Sequence, residues 1–215
     1  MSRTYELVIG NKNGSSWSLR PWLVMKAFGI PFSETLIRLR RPETGAEILR
    51  HSPSGWVPVL KSDGLLVWDS LAIIEFLAEQ HPNNPLWPAD AVARATARCV
   101  SAEMHSGFQA LRNECPMDFT NVLDFPNASA KTLADIGRIV AIWTDCRRRF
   151  GGGGEFLFGG FSAADAMFAP VASRFRTYQV DLSRFGDDGT AARYRDTMMS
   201  MPEMLAWAEG AKAEM

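Results

Sequence analysis

Between residues 81 and 88 the chain reads His81-Pro82-Asn83-Asn84-Pro85-Leu86-Trp87-Pro88, three prolines and two asparagines in eight residues. No helix or central strand runs through such a segment, because each proline lacks an N–H and fixes φ. A defined linker at 82–89 is expected, dividing a unit at 1–81 from one at 90–215. The hydrophobic patterning changes across it. On the N-terminal side β-rich runs alternate with helix-like ones, the mark of an α/β unit. Tyr5 to Ile9 reads as a strand and Gly10 to Ser18 as a turn-forming stretch. Leu19, Trp22, Leu23 and Ala27 then recur at helical spacing until Gly29 and Pro31. Pro21 argues for a first turn near Ser18, because a helix starting at Ser15 would lose an internal hydrogen bond there. Thr35, Ile37 and Leu39 alternate as a second strand, and Pro42 to Arg50 reads as a short helix. Val57 to Leu60 and Leu65 to Trp68 are two strands joined through Asp63-Gly64, a hairpin signal. Leu71, Ile74, Phe76 and Leu77 fill a helix that ends before Pro82. The order βαβαββα predicts a mixed four-stranded sheet.

Beyond the linker four helices are expected, Ala91 to about Leu111, Ala130 to about Phe150, Ala163 to about Tyr178, and Ala191 to Ala213, giving an all-α unit. Gly151 to Gly154 reads as a flexible loop, since four glycines have no side chains to pack. The whole is therefore α/β followed by all-α. With 215 residues, 47% of them hydrophobic, the chain has enough apolar surface for two cores. A net charge of -1 leaves no basic excess to hold a phosphate backbone, so no nucleic-acid partner is expected. Arg147, Arg148 and Arg149 read as a solvated helix face. Cys99, Cys115 and Cys146 are an odd number with no C-x-x-C pair, which suggests neither a disulfide framework nor a metal site and fits a reducing, cytoplasmic setting. No apolar signal region and no run of 18 apolar residues is present, so neither secretion nor membrane spanning is expected.

Two places where a strand gives way to a helix carry polar residues suited to anion capture. A helix N-terminus presents unpaired N–H groups and a partial positive charge. Ser15, Ser16 and Ser18 stand at one such point and Asp69-Ser70 at another; capping of the helix is the alternative role for each. Ser162 and Asp165 have the spacing of a capping box. Met104, His105, Phe108, Leu111 and Arg112 can share one side of the first helix after the linker, either as ordinary core or as a pocket wall in which His105 and Arg112 orient an acidic or electrophilic ligand.

This arrangement resembles the cytosolic glutathione transferase superfamily over essentially the whole chain. Ser15-Ser16-Trp17-Ser18-Leu19-Arg20 looks like the S-S-C-S-W-R signature of the zeta class and related bacterial transferases, with Trp17 in place of cysteine. Ser52-Pro53-Ser54-Gly55-Trp56-Val57-Pro58 is similar to the family's N-P-x-G-x-V-P, and Asp69-Ser70 to its [ED]-S pair. The resemblance implies a thioredoxin-like N-terminal domain and an all-helical substrate domain. It implies that Ser15, with Ser16 second, stabilises the thiolate of glutathione; Tyr5 is ranked below both. It implies that Val57 before a cis Pro58 pairs with the peptide backbone of glutathione, and that Ser70 and Asp69 hold its γ-glutamyl end. Trp56 occupies the position where the family often has a lysine for the glycine carboxylate, so Arg41, Arg40 or His51 is expected to make that contact. The implied activity is a glutathione S-transferase acting on a small electrophile, with glutathione as co-substrate and no metal. A cis-trans isomerase of the maleylacetoacetate or maleylpyruvate type and a non-catalytic binding module are the alternatives. The family's habit implies a homodimer.

Overall fold

The computed structural model describes residues 3–214. Its sheet is built on β1 (Tyr5–Gly10), which pairs in parallel with β2 (Ser33–Ile37) and antiparallel with β3 (Val59–Ser62); β4 (Leu65–Trp68) pairs antiparallel with β3 on the outside, giving the order β2-β1-β3-β4. Successive side chains of a strand point to opposite faces. Leu7 and Ile9 therefore meet the main core, which includes α1 (Ser16–Ala27) and α3 (Ser70–Gln80), while Val8 joins Ile37, Val59 and Ile48 of α2 (Thr44–Leu49) on the other side. Asp63 and Gly64 adopt φ of 48° and 85°, the positive pair that a two-residue hairpin of right-handed strands requires.

The second strand begins and ends two residues earlier than the alternation suggested, at Ser33 and Ile37, and the third begins at Val59 because Pro58 has no N–H for the ladder. The first helix starts at Ser16, earlier than Pro21 argued. An internal proline costs about 3 kcal/mol. Burying Leu19, Trp22, Leu23 and Met25 in the same helix contributes about 1.5–3 kcal/mol each, which outweighs it.

Helices follow β4 and α3 without further strands. They are α4 (Ala91–Ser106), α5 (Gln109–Glu114), α6 (Ala130–Phe150), α7 (Ala163–Thr177), α8 (Thr190–Ser200) and α9 (Pro202–Ala213). Two expected helices are each split. Gly107 is extended and Phe108 turns to φ 56°, ending α4 five residues before the expected limit. A Cβ at Gly107 would lie 2.8 Å from the Glu103 carbonyl oxygen, so glycine is required for that break. Met201 takes ψ 137°, as a residue before proline does, and Pro202 opens α9. The four-glycine loop is not free. A Cβ at Gly151 or Gly154 would collide with the backbone of Arg147 or Gly159, and the Arg147 guanidinium donates to the carbonyls of Gly151, Gly154 and Phe156. Arg147 is thus a loop clamp; only Arg148 and Arg149 lie on the solvated face, paired with Asp188 and Asp145.

The linker is an ordered strap. The Ala163 N–H donates to the Leu86 carbonyl (2.7 Å), the Trp87 indole N–H donates to Glu75 (3.2 Å), and His81 Nε2 meets the Tyr5 hydroxyl at 3.1 Å. Helix α7 is almost wholly buried and packs against α1, α4 and α8. No helix among the described residues is long and apolar enough to cross a membrane. At the start of α7 the Asp165 carboxylate accepts from the Ser162 N–H (2.9 Å), the Ser162 hydroxyl (2.8 Å), the Leu157 N–H (3.0 Å) and the Tyr194 hydroxyl (3.1 Å). Burial holds this carboxyl up at about 6 against those four donors.

An amide in place of that carboxylate turns its NH2 towards one of the two backbone N–H groups, of Leu157 on Oδ1 or of Ser162 on Oδ2, and neither can reverse. Asp165→Asn is expected to cost about 1–3 kcal/mol. The melting temperature measured calorimetrically should fall by about 2–10 °C in a chain of this size.

Candidate functional site

A groove runs between the sheet unit and the helices, lined by the start of α1, the segment leading into β3, the start of α3, and α4 with α5. Its larger part, about 640 Å³, includes Ser15, Ser16, Arg40, Arg112 and Arg174; its smaller part, about 410 Å³, includes Pro58, Asp69, Ser70 and His105. Trp17, Trp56 and Val57 line both.

The loop before α1 is fixed by its own polar residues. The Asn11 carbonyl accepts from the N–H groups of Gly14 (3.2 Å) and Ser15 (2.9 Å), and Asn13 Oδ1 accepts from those of Phe119 (2.7 Å) and Thr120 (3.2 Å) in the helical unit. Gly10 ends β1 where a Cβ would lie 2.5 Å from Leu39 and 3.0 Å from the Ser15 hydroxyl oxygen. Ser15 holds the N-cap position but its side chain does not cap. Its hydroxyl donates instead to Ser18 Oγ (2.8 Å), which also accepts the Gly10 N–H (3.1 Å). No acidic residue stands in the first turn. The positive end of α1 thus opens beside the groove with no side-chain acceptor at its mouth.

At α3 the opposite holds. Asp69 Oδ1 accepts from the Leu71 and Ala72 N–H groups at 2.9 and 3.2 Å, and Oδ2 pairs with His105 Nε2 at 2.6 Å. Oδ1 thus serves the helix start and Oδ2 the imidazole, on a side chain that stays exposed beside the groove. The Ser70 hydroxyl is buried without a partner beside the groove, an orphaned donor that suits an anionic group of a ligand. The Val57-Pro58 peptide bond is cis.

Three arginines surround the other end. Two guanidinium groups meet the Trp17 ring, that of Arg20 with its carbon 4.0 Å from the centroid and that of Arg112 at 5.1 Å. His105 meets the same ring edge-on at 5.2 Å. Arg20 is fully buried, donates Nε–H to the Met167 carbonyl (3.1 Å), and leaves both terminal nitrogens without partners. Arg174 donates to the carbonyls of Cys115 (2.9 Å) and Pro170 (3.0 Å). Burial, reinforced by the Arg112 charge, lowers Arg174 to about 10, and burial with both neighbouring arginines lowers Arg20 too. Among the described residues none of the three makes an ion pair.

Ser15, Ser16, Trp56, Val57, Pro58, Asp69, Ser70, His105 and Arg112 are therefore brought together on one groove. Met104 and Phe108 line neither part of it: with Leu111 they are buried in the main core. Arg41 is exposed and lies off the groove, its N–H on Thr44 Oγ1, and Arg40 lines the groove in its place. His51 is engaged by Lys61 Nζ at 2.8 Å, and Tyr5 is turned to His81. Sequence reasoning missed Arg20 and Arg174. The signal for Arg174 was a charge within the apolar run Ala166 to Phe175.

Residues 14–80 match the family model of the glutathione S-transferase N-terminal domain, and residues 127–210 match that of the C-terminal domain. The chain belongs to the glutathione S-transferase family. It is similar to a probable maleylacetoacetate isomerase of Caenorhabditis elegans, 28% identical and covering 91% of this chain and 88% of that one. It is also similar to a maleylpyruvate isomerase of Ralstonia, 27% identical over 84% of this chain and 74% of the relative. A glutathione transferase homologue from Burkholderia, solved with bound glutathione, shares the fold with a TM-score of 0.71 at 22% identity, covering 98% of this chain and 99% of that one.

In this glutathione S-transferase no cysteine lies on the groove. Burial pushes Cys115 up to about 11 and Cys146 up to about 12, whereas Cys99 is exposed. A thiol reagent at neutral pH should therefore titrate one equivalent in the native chain and three after denaturation, counted by absorbance.

Proposed function

We propose that the chain binds glutathione along this groove and directs its thiolate at a small electrophile that carries a carboxylate. The observation that carries the reading is the uncapped N-terminus of α1, with Ser15 and Ser16 beside it on the groove. A free thiol with pKa near 8.5 is only a few per cent ionised at neutral pH, and lowering it by about 2 units takes about 2.7 kcal/mol of preferential stabilisation. One charge-assisted hydrogen bond together with the helix terminus is of that size. Ser15 can supply the bond by turning its O–H from Ser18 to the sulfur, with the Ser18 hydroxyl then free to donate back to Ser15 Oγ. Val57 pairs with the cysteinyl backbone of glutathione, and Ser70 receives the γ-glutamyl carboxylate. Arg40 and Trp56 border the glycine end. In this reading 1–81 is the glutathione-binding domain and 90–215 the electrophile-binding one.

The arginine group favours a refinement. Arg112 and Arg174 line the large part of the groove without acidic partners, which suits an anionic substrate. Relatives named as maleylacetoacetate and maleylpyruvate isomerases make cis-trans isomerisation the second reading: glutathione adds to a double bond conjugated with a carbonyl, the bond rotates, and glutathione leaves unchanged. A cytoplasmic homodimer completes the proposal, with Leu65, Leu66 and Trp68 on the open edge strand β4 as exposed apolar surface for the second copy.

Ser15→Ala is expected to lower kcat/KM at neutral pH by about 100-fold, as loss of a single thiolate donor does. Ser70→Ala should instead raise the KM for glutathione by about tenfold. Steady-state kinetics with a maleyl ester distinguishes the two. An intact Ser15→Ala enzyme beside an inactive Ser16→Ala one transfers the donor role to Ser16; saturable glutathione binding without turnover of any electrophile would make the chain a binding module. Light scattering should give twice the chain mass for the native protein, falling towards one chain for Trp68→Glu.

A further inference from the structure

Trp17 replaces the cysteine of the resembling signature, and the structure gives the indole surroundings that a thiol could not use. One face covers the buried Arg20, the edge abuts His105, and Arg112 lies over the ring. The ring is thereby held on three sides. Arg112 is only half-buried, and its one hydrogen bond is a long one, 3.4 Å, to the His105 carbonyl. An arginine so weakly tethered loses side-chain entropy on meeting a ligand unless something else holds it. Arg174, on the same part of the groove, is held by two backbone carbonyls.

We propose that Trp17 is the positioning residue that sets substrate specificity: its ring holds the Arg112 guanidinium in place so that Arg112 and Arg174 together read a carboxylate on the electrophile. The inference rests on the reading of this end of the groove as the electrophile site, and it explains why the large side chain is compatible with function at a signature position. Arg112 comes to the ring from α5, the short helix that begins after the break at Gly107 and Phe108. The guanidinium suits this double role, since its flat face stacks on an aromatic ring while its edge donates to a carboxylate. The charge of Asp135 is felt at Arg112 but makes no ion pair with it; its Oδ2 accepts the Leu111 N–H at 3.1 Å, and Asp69 is held by His105 and its own helix.

The test is equilibrium binding to the full chain without glutathione, so that its result is independent of any thiol chemistry. Succinate, an unreactive four-carbon dianion, and succinamide, its neutral counterpart, are titrated calorimetrically into the native protein and into Trp17→Leu, Trp17→Phe, Arg112→Gln and the Trp17→Leu/Arg112→Gln double variant. Succinate should bind the native chain, and Trp17→Leu and Arg112→Gln should each weaken it by about tenfold. The double variant should be within about twofold of the singles, as coupled residues require. Trp17→Phe, which keeps an aromatic face, should recover most of the loss, and succinamide should discriminate none of the variants. Arg112→Lys keeps the charge but loses the flat face; it should bind succinate as weakly as Arg112→Gln, and it reads the same coupling if Trp17→Leu does not fold. Native protein that ignores succinate, a Trp17→Leu variant with native affinity, an Arg112→Lys variant with native affinity, or losses that multiply in the double variant would overturn the assignment.

Discussion

An α-helix whose first N–H groups face a groove with no side chain of its own to satisfy them is a standing demand for an anion. In this chain that helix is α1, and much of the surrounding structure keeps its mouth open. Gly10 lets the Ser15 hydroxyl pack under the strand end, Ser18 draws that hydroxyl away from the capping position, and Asn11 and Asn13 fix the loop from both units. The contrast with α3 is instructive. There Asp69 accepts from the second and third N–H groups of the helix and its other oxygen is taken by His105, while the buried Ser70 hydroxyl is left without a partner. Two helix starts of similar composition thus present different chemistry to one groove.

The second constraint is electrostatic. Arg112 and Arg174 line one end of the groove and Arg20 lies buried against Trp17, three arginines from three helices without ion pairs among the described residues. Burying a guanidinium without a carboxylate is costly, and here the cost is offset by backbone carbonyls and by the Trp17 face rather than by neutralisation. Helix α7 makes this possible, because it is buried against α1 and supplies the Met167 carbonyl to Arg20 and the Arg174 side chain to the groove. The two units are therefore joined by the same contacts that charge the site.

Much of this was legible in the residues alone. The alternating runs before the prolines, the Asp63-Gly64 turn and the Ser162 to Asp165 spacing each encode a local geometry, and the observed sheet, hairpin and α7 start follow from them. The breaks at Gly107 and at Met201-Pro202 were overlooked because hydrophobic periodicity continues across both; only the backbone demands of glycine and proline mark them. Of the two roles open to Met104 and Phe108, core and pocket wall, the packing favours core for both. Which of Arg40 and Arg41 borders the groove was beyond local reasoning, because it turns on the φ of 61° that Arg40 adopts in the folded chain. Likewise Ser15 looks like an N-cap in sequence, and only the tertiary position of Ser18 and Gly10 shows that its hydroxyl points elsewhere.

All of the proposed chemistry depends on a sulfur anion being favoured at the mouth of α1. The most direct measurement is a pH titration of the native chain loaded with glutathione, following thiolate ultraviolet absorbance against the same chain loaded with S-methylglutathione, which has no thiol to ionise. The account predicts a midpoint about 2 units below the ordinary thiol value of 8.5. A bound thiol that titrates at its ordinary value would contradict it.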